Sequence, residues 1–205
     1  MTISDRLNDL ITAKEDMKSA IKEKGVEVTG GLTSYADAIR SIGSFKINIV
    51  EGTKFGGATF GDMSNFDFYN VKDGSFMFRG FDGDTLILND SLVVTNAKGM
   101  FYDCHSKNIP LLDFENVTDF SIGVDGCYAV NYSGFYNFGK QENCKCPVFN
   151  NPDVTRESMI NIFNNLYDRA TAGYSVLTLK LHATVLALLS DEDIAIATNK
   201  GWTIE

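Results

Sequence analysis

The sequence predicts an α/β protein: an N-terminal helical oligomerisation or docking segment, then a short solenoid of stacked repeats that closes in helix-strand repeats. Three observations predict it. Apolar residues near the N-terminus fall at helical seam spacing, a 23-residue period runs through the middle, and the last third twice follows a helix with a glycine and a strand.

Thr2 or Ser4 can cap a helix over about residues 3–24. Ile3, Leu7, Leu10, Lys14, Met17 and Ile21 recur at alternating steps of four and three, the pattern of a coiled-coil seam with one lysine in it. A polar seam residue costs stability while setting register or strand number. Three heptads are short for a self-sufficient coiled coil, so the stripe fits either a homo-oligomer seam, dimer or trimer, or a face packed on the rest of the chain. Gly30-Gly31 makes a turn, and Thr33 or Ser34 caps a second helix over about residues 34–42. Its stripe is Tyr35, Ala36, Ile39 and Ile42, and Gly43 stops it. Residues 1–43 thus read as a helical anchor. The alternation Phe45-Lys46-Ile47-Asn48-Ile49-Val50 then reads as a strand, which opens a body over residues 44–205.

The period lies at about residues 63–132. Val71, Val94 and Val117 are one step apart, as are Asp67, Asp90 and Asp113. Shifted by two steps, Asp67-Phe68-Tyr69-Asn70-Val71-Lys72-Asp73 matches Asp113-Phe114-Glu115-Asn116-Val117-Thr118-Asp119 at five of seven positions. Each copy carries a short apolar strand, an Asn or Val turn and a plug. Met77-Phe78 and Met100-Phe101 fill the plug, followed by Phe81 and Cys104, while the third copy has Gly123-Val124 and Cys127. One such unit cannot hide its own apolar face, so neighbours must stack. Val71, Val94, Val117, Met77, Met100, Cys104 and Cys127 are therefore the expected repeat core. A degraded fourth copy is expected at Tyr136-Asn137-Phe138, two residues short of the step.

Residues 151–205 hold the helix-strand repeats. Thr155 caps a helix with Ser158 at the capping-box position and a stripe of Met159, Ile162, Phe163 and Leu166. Leu177, Leu179 and Leu181 alternate as a strand, Ala183 to Leu189 reads as helix, and Ser190 caps a last helix through Ala197. Gly173-Tyr174-Ser175-Val176 and Gly201-Trp202-Thr203-Ile204 match in kind.

Composition narrows the function. The 205 residues are 44% hydrophobic and 22% charged, enough for a sizeable core. A net charge of -9 with scattered Lys and Arg argues against nucleic acid. Met1 to Leu10 already contains Asp5, Arg6 and Asp9, so no secretory leader is expected, and Val185 to Leu189 is too short to cross a bilayer. Synthesis in a cytoplasm, no membrane insertion and reduced thiols at Cys104, Cys127, Cys144 and Cys146 follow. His105 and His182 are distant in sequence and read as ordinary surface or half-buried side chains, since a general base needs an oriented partner. Phe55-Gly56-Gly57-Ala58 lacks the lysine of a phosphate loop. Cys144-Lys145-Cys146 with Cys127 is spaced too tightly for structural zinc, and Asp82, Asp84, Asp90 and Asp103 lack the alternation of a calcium loop. No enzyme, metal or cofactor is expected. Tyr69, Tyr102, Tyr128, Tyr132 and Tyr136 lie beside the core positions and are the candidate exposed aromatics, suited to rim or subunit contacts or to a sugar face.

The strings Met100-Phe101-Tyr102-Asp103-Cys104 and Asp113-Phe114-Glu115-Asn116-Val117-Thr118 resemble surface-protein leucine-rich repeats of the BspA type. The tail from Leu177-Thr178-Leu179 through Gly201-Trp202-Thr203-Ile204 is similar to the closing segment of such repeats in bacteriophage tail, fibre and baseplate proteins. Ala20-Ile21-Lys22-Glu23-Lys24-Gly25-Val26 with Tyr35-Ala36-Asp37-Ala38-Ile39 resembles helical leaders of phage structural proteins. The array is short, phenylalanine often replaces leucine, and residues 133–150 fit no copy well. The resemblance implies a leucine-rich-repeat-like body and a non-enzymatic phage virion protein, a head or tail fibre or fibre-associated component. Its implied partners are other virion proteins, further copies of itself, and a host surface glycan or protein. The alternative is a bacterial adhesin-like leucine-rich-repeat binding module.

Overall fold

A computed structural model describes residues 3–23, 47–89 and 92–205, with side chains of the first segment described from Ile11. The chain divides into two compact units, Met1–Lys46 and Ile47–Glu205. In the first, helix α1 spans Ile3–Glu23, with Lys22 in its last turn where a cation suits the helix dipole. Along the seam, Lys14 is half-buried, Met17 is 45% exposed and Ile21 is 3% exposed. The expected second helix at 34–42, the Gly30-Gly31 turn and Phe45-Lys46 lie outside the described residues.

The second unit is mixed α/β, and its strands are short. They are β1 Ile47–Asn48, β2 Asp62–Met63, β3 Phe66–Asp67, β4 Ile87–Leu88, β5 Asn108–Ile109, β6 Leu112–Asp113, β7 Asn131–Tyr132, β8 Phe135–Tyr136 and β9 Val148–Phe149. Every pairing is parallel: β1 with β3, β2 with β4, β5 with β7 and β6 with β8. The 23-residue step is a hydrogen-bonded register, with Asn108 opposite Asn131, Ile109 opposite Tyr132 and Leu112 opposite Phe135. Isolated bridges repeat it from Asp73 to Asn96, Asn96 to Asp119 and Thr85 to Asn108.

Between the strands, two successive turns divide the backbone donors between neighbours. Gly74, Phe76, Phe78 and Gly80 donate to the carbonyls of Asn96, Lys98, Met100 and Tyr102 in the next segment. Ala97, Gly99, Phe101 and Asp103 do the same to Asp119, Ser121, Gly123 and Asp125. The intervening amides of Met77, Arg79 and Phe81 close onto Gly74, Phe76 and Phe78 within their own turns. Alternate amides thus bond outward and inward, so a buried stretch with almost no strand leaves no donor unused. The geometry needs left-handed backbone at fixed places: Gly57, Gly80, Asp103 and Gly126 form one column of positive φ, and Phe76, Gly99 and Ile122 another. Aspartate tolerates this conformation by bonding locally, but phenylalanine and isoleucine carry a steric cost there.

The repeated acidic and amide residues have a local cause. Asp67 and Asp113 accept the amides of Tyr69 and Glu115 two residues on, and Asp73, Asn96 and Asp119 accept those of Ser75, Lys98 and Ser121. These are side-chain-closed turns, for which aspartate and asparagine are the preferred residues. Asp90, the third member of the first set, lies outside the described residues.

Inside, Val71, Val94, Val117, Met77, Met100, Cys104 and Cys127 are all buried. Phe78 is sandwiched, stacking on Phe55 at 5.5 Å and on Phe101 at 5.6 Å. Further along, Phe114 stacks on Phe135 at 5.0 Å, with Phe120 edge-on to both. Such ring pairs add about 0.5–1.5 kcal/mol each beyond the area they bury.

The C-terminal part adds helices to the same parallel pairing. They are α2 Arg156–Asn165, α3 Arg169–Ala172, α4 Ala183–Leu186 and α5 Asp191–Thr198, with strands β10 Leu177–Leu181 and β11 Trp202–Ile204. Strand β10 lies between β9 and β11. Thr155 caps α2 by accepting the Ser158 amide, and Ser190 with Asp193 makes a full capping box on α5. Asp193 also receives Arg156 through two nitrogens, at 2.8 and 2.7 Å, tying α5 to α2. The Lys200 ammonium closes the far end of α2 by donating to Phe163, Asn164 and Leu166 carbonyls. Trp202 donates its indole N–H to Tyr167 and covers Gly139, where a Cβ would meet the ring at 2.6 Å from Cη2.

Three expectations are corrected. The described part of the strand expected over 45–50 is two residues, Ile47–Asn48 opposite Phe66–Asp67, after which the Ile49 amide donates to the Asp67 carbonyl and the pairing ends. The segment at 136 is in step: Tyr136 lies opposite Asp113, and the irregularity follows it, since Lys145 rather than residue 142 lies opposite Asp119. The helix expected through Leu189 ends at Leu186, where the last turn bonds Leu188 to Val185 and Leu189 to Leu186.

A candidate ligand groove

The expected exposed tyrosines do not share one surface. Tyr132 is a correction: it is 3% exposed, not a surface aromatic. It occupies the register position of Ile109, and its ring packs edge-on against Phe135 and Phe149. The apolar Leu86 and Ile109, at the two preceding steps, were the sequence signal for that burial. Burial and the neighbouring thiols of Cys127 and Cys104 push the Tyr132 hydroxyl well above its usual pKa. Cys104 and Cys127 are free thiols, and the hydrogen bond between them together with burial keeps Cys104 protonated.

The other four stand apart. Tyr69 is exposed and lies under the Lys72 ammonium. Tyr102 is half-buried and packs against Phe76, with the Arg79 guanidinium 5.3 Å from its ring. Tyr136 is exposed at the rim of a 250 Å³ recess with Leu111, Leu112 and Asn89. Tyr128 is 59% exposed and has the most chemistry around it.

The 23-residue register explains that concentration. Asp82, His105 and Tyr128 follow one another at this step, and Asp84, Lys107 and Val130 do so two residues along; in the next segment the step lengthens, Thr155 bonding the Val130 carbonyl, and Asn151 to Asp153 lie just ahead of it. In each of these segments the residue between them is small: Gly83, Ser106 and Ala129. Gly83, Ser106 and Ala129 are buried while their flanking residues point outward, as expected for an extended stretch whose side chains alternate. Backbone bonds hold the segments in place, from Lys107 to Asp84, Tyr128 to Cys104, Val130 to Lys107 and Thr155 to Val130. The result is two outward ridges, with Gly83, Ser106 and Ala129 turned inward between them. A Cβ on Gly83 would meet the Phe81 ring at 2.7 Å and the Thr59 carbonyl at 3.0 Å, so that inward position is closed to larger residues.

Two open recesses lie along these ridges. One, of 600 Å³, is lined by His105, Lys107, Tyr128, Val130 and Asp153. The other, of 390 Å³, is lined by Gly126, Cys127, Tyr128 and Asn150 through Asp153. Tyr128 and Asp153 belong to both. His105 Nδ1 meets Asp82 Oδ1 at 2.8 Å, and the imidazole packs edge-to-face on Tyr128 at 4.9 Å and 86°. His105 is exposed, as expected, and Asp82, one step earlier in the register, holds it. Its Nε2, the Lys107 ammonium and the Asp153 carboxylate make no bond among the described residues, leaving a donor or acceptor, a donor and an acceptor around one exposed ring. His182 accepts from the Thr184 amide at the start of α4.

Among the described residues no group of three or more His, Cys, Asp or Glu is placed to hold a metal ion, and no helix is long and apolar enough to cross a membrane. Arg169 escaped the sequence reading altogether. It is fully buried, yet it donates to the carbonyls of Ser175, Gly139, Gln141 and Glu142 and lies 5.3 Å from the Tyr174 ring. A lone arginine in a polar segment carries no sequence signal of burial. No family model, curated protein or solved structure matches the chain.

Proposed function

We propose that this chain is a non-enzymatic structural component of a bacteriophage particle, a head or tail fibre or fibre-associated protein. Its N-terminal helix serves assembly, with further copies or with other virion proteins, and its body meets the host surface. In this reading residues 47–205 form a short leucine-rich-repeat-like solenoid. The observation that carries it is the parallel hydrogen-bonded register at 23 residues, which makes each segment depend on its neighbours and arrays side chains in straight columns. Repeats of this kind build extended, rigid binding faces. Met17 and Ile11, exposed on α1, are apolar contacts available to a second helix.

The test is the composition of the particle. Mass spectrometry of purified virions from a lysate that expresses the chain should find it in fixed stoichiometry with other particle proteins. Its presence only in the soluble fraction would refute the assignment.

A further inference from the structure

We infer that the groove on either side of Tyr128 binds a linear glycan laid along the column direction, across the segments that carry His105, Tyr128 and Asn151. This rests on the proposed role of the body in surface contact and names the chemistry of that contact.

The argument begins with the ring. An exposed tyrosine held on a hydrogen-bonded segment offers a flat apolar face at little entropic cost, since neither its backbone nor its neighbours must order on binding. The edge-on His105 imidazole fixes one side of Tyr128, and Asp82 fixes His105 in turn. A pyranose ring has the matching duality, with an apolar C–H face for the tyrosine and a rim of hydroxyls. Those hydroxyls both donate and accept, which suits a mixed set: His105 Nε2, Lys107 Nζ and the Asp153 carboxylate lie within the same recess.

Length follows from the second recess. The two hollows share Tyr128 and Asp153, and the larger reaches across three successive segments, at His105, Tyr128 and Asp153. Each falls in the size range of small-ligand sites, roughly 300–1,000 Å³. A ligand filling both therefore has several rings in line. Successive segments of a parallel ladder lie roughly 4.8 Å apart, so a polymer with a ring-sized repeat meets an equivalent ridge position at each step.

Charge decides against the competing polymers. Asp82, Asp84 and Asp153 flank a single Lys107 along the ridges, which repels a phosphate backbone. A peptide strand would need an open row of backbone donors, whereas the segment amides here are already spent on their neighbours.

The experiment uses the full chain on an array of linear oligosaccharides, spanning neutral hexose, N-acetylhexosamine and uronic-acid polymers, beside a panel of bacterial capsule and cell-wall polysaccharides. The unsubstituted chain should bind at least one linear series, with affinity rising with chain length. Tyr128→Ala should lose on the order of tenfold or more, the loss expected when a central aromatic anchor is truncated, while Tyr69→Ala and Tyr136→Ala bind as before. Val130→Arg, which obstructs the groove from its rim, should also lose binding. Equal melting temperatures establish that the variants are folded. Absence of binding to every saccharide, or binding that Tyr128→Ala leaves intact, overturns the inference. Neither result touches the particle assignment, which stands or falls by the virion composition.

Discussion

Replacing Arg169 by methionine removes five donors while keeping an unbranched side chain of similar length. The guanidinium is fully buried and holds four carbonyl oxygens, of Gly139, Gln141, Glu142 and Ser175. The Gly139 carbonyl is buried with it and would be stranded, at about 1–3 kcal/mol. The other three are partly accessible and recover water in part, so each costs about 0.5–1 kcal/mol. Relief of the charge's own desolvation offsets some of this, which puts Arg169→Met at about 3 kcal/mol, the lower end for breaking a buried ionic site. With a urea slope of about 2 kcal/mol per molar, the midpoint should fall by about 1.5 M. Arg169→Lys keeps the charge but not the planar fork, so it should recover part of the loss. The measurement is urea unfolding followed by far-ultraviolet circular dichroism. A midpoint unchanged in Arg169→Met, or a lysine variant no better than methionine, would refute the view that this fork ties 139–142 to α3 and the approach to β10.

Phe78→Ala removes the ring sandwiched between Phe55 and Phe101 and should cost about 3–5 kcal/mol in the same assay, the usual range for a buried phenylalanine. A loss under 1 kcal/mol would mean that the column does not hold neighbouring segments together. Asp193 has its pKa held below the usual carboxylate value by the Ser190 amide first and Arg156 second. A depressed folded pKa stabilises fully above the unfolded value of about 4 and fades as pH falls through the folded one. Melting temperatures should therefore drop on the acid side of about pH 4, and Asp193→Asn should flatten that limb while lowering stability at neutral pH; an unaltered acid limb would contradict the linkage. Met17→Glu places a charge on an exposed seam position of α1, so a folded single chain should tolerate it while a helix-mediated oligomer should dissociate in light scattering. An unchanged mass would remove Met17 from any assembly seam.

Several structural features were legible residue by residue. Asp73, Asn96 and Asp119 recur because each closes the same turn on its own chain, a local bond that a sequence displays directly. Val71, Val94 and Val117 recur because each fills a fully buried position one step from the next. Tyr132 was misread because an aromatic serves equally as a plug or as a surface platform, and only the register with Ile109 decides. The pairing of His105 with Asp82 was hidden for a related reason: 23 residues of chain separate two side chains that the ladder places one step apart. The three extra residues between Tyr136 and Lys145 blurred the period where the strand itself stays in step.

The sequence by itself determined the helical start, the 23-residue step, the turn chemistry and the caps at Thr155 and Ser190, because each depends on residues within a few positions or on a spacing that repeats. Tertiary structure alone decided which outward residues share a ridge, that Tyr128 rather than Tyr132 faces solvent, and that Arg169 is enclosed by carbonyls. Those outcomes depend on the hydrogen-bonded register between segments. A one-residue slip in that register would turn every side chain of the strand to the opposite face.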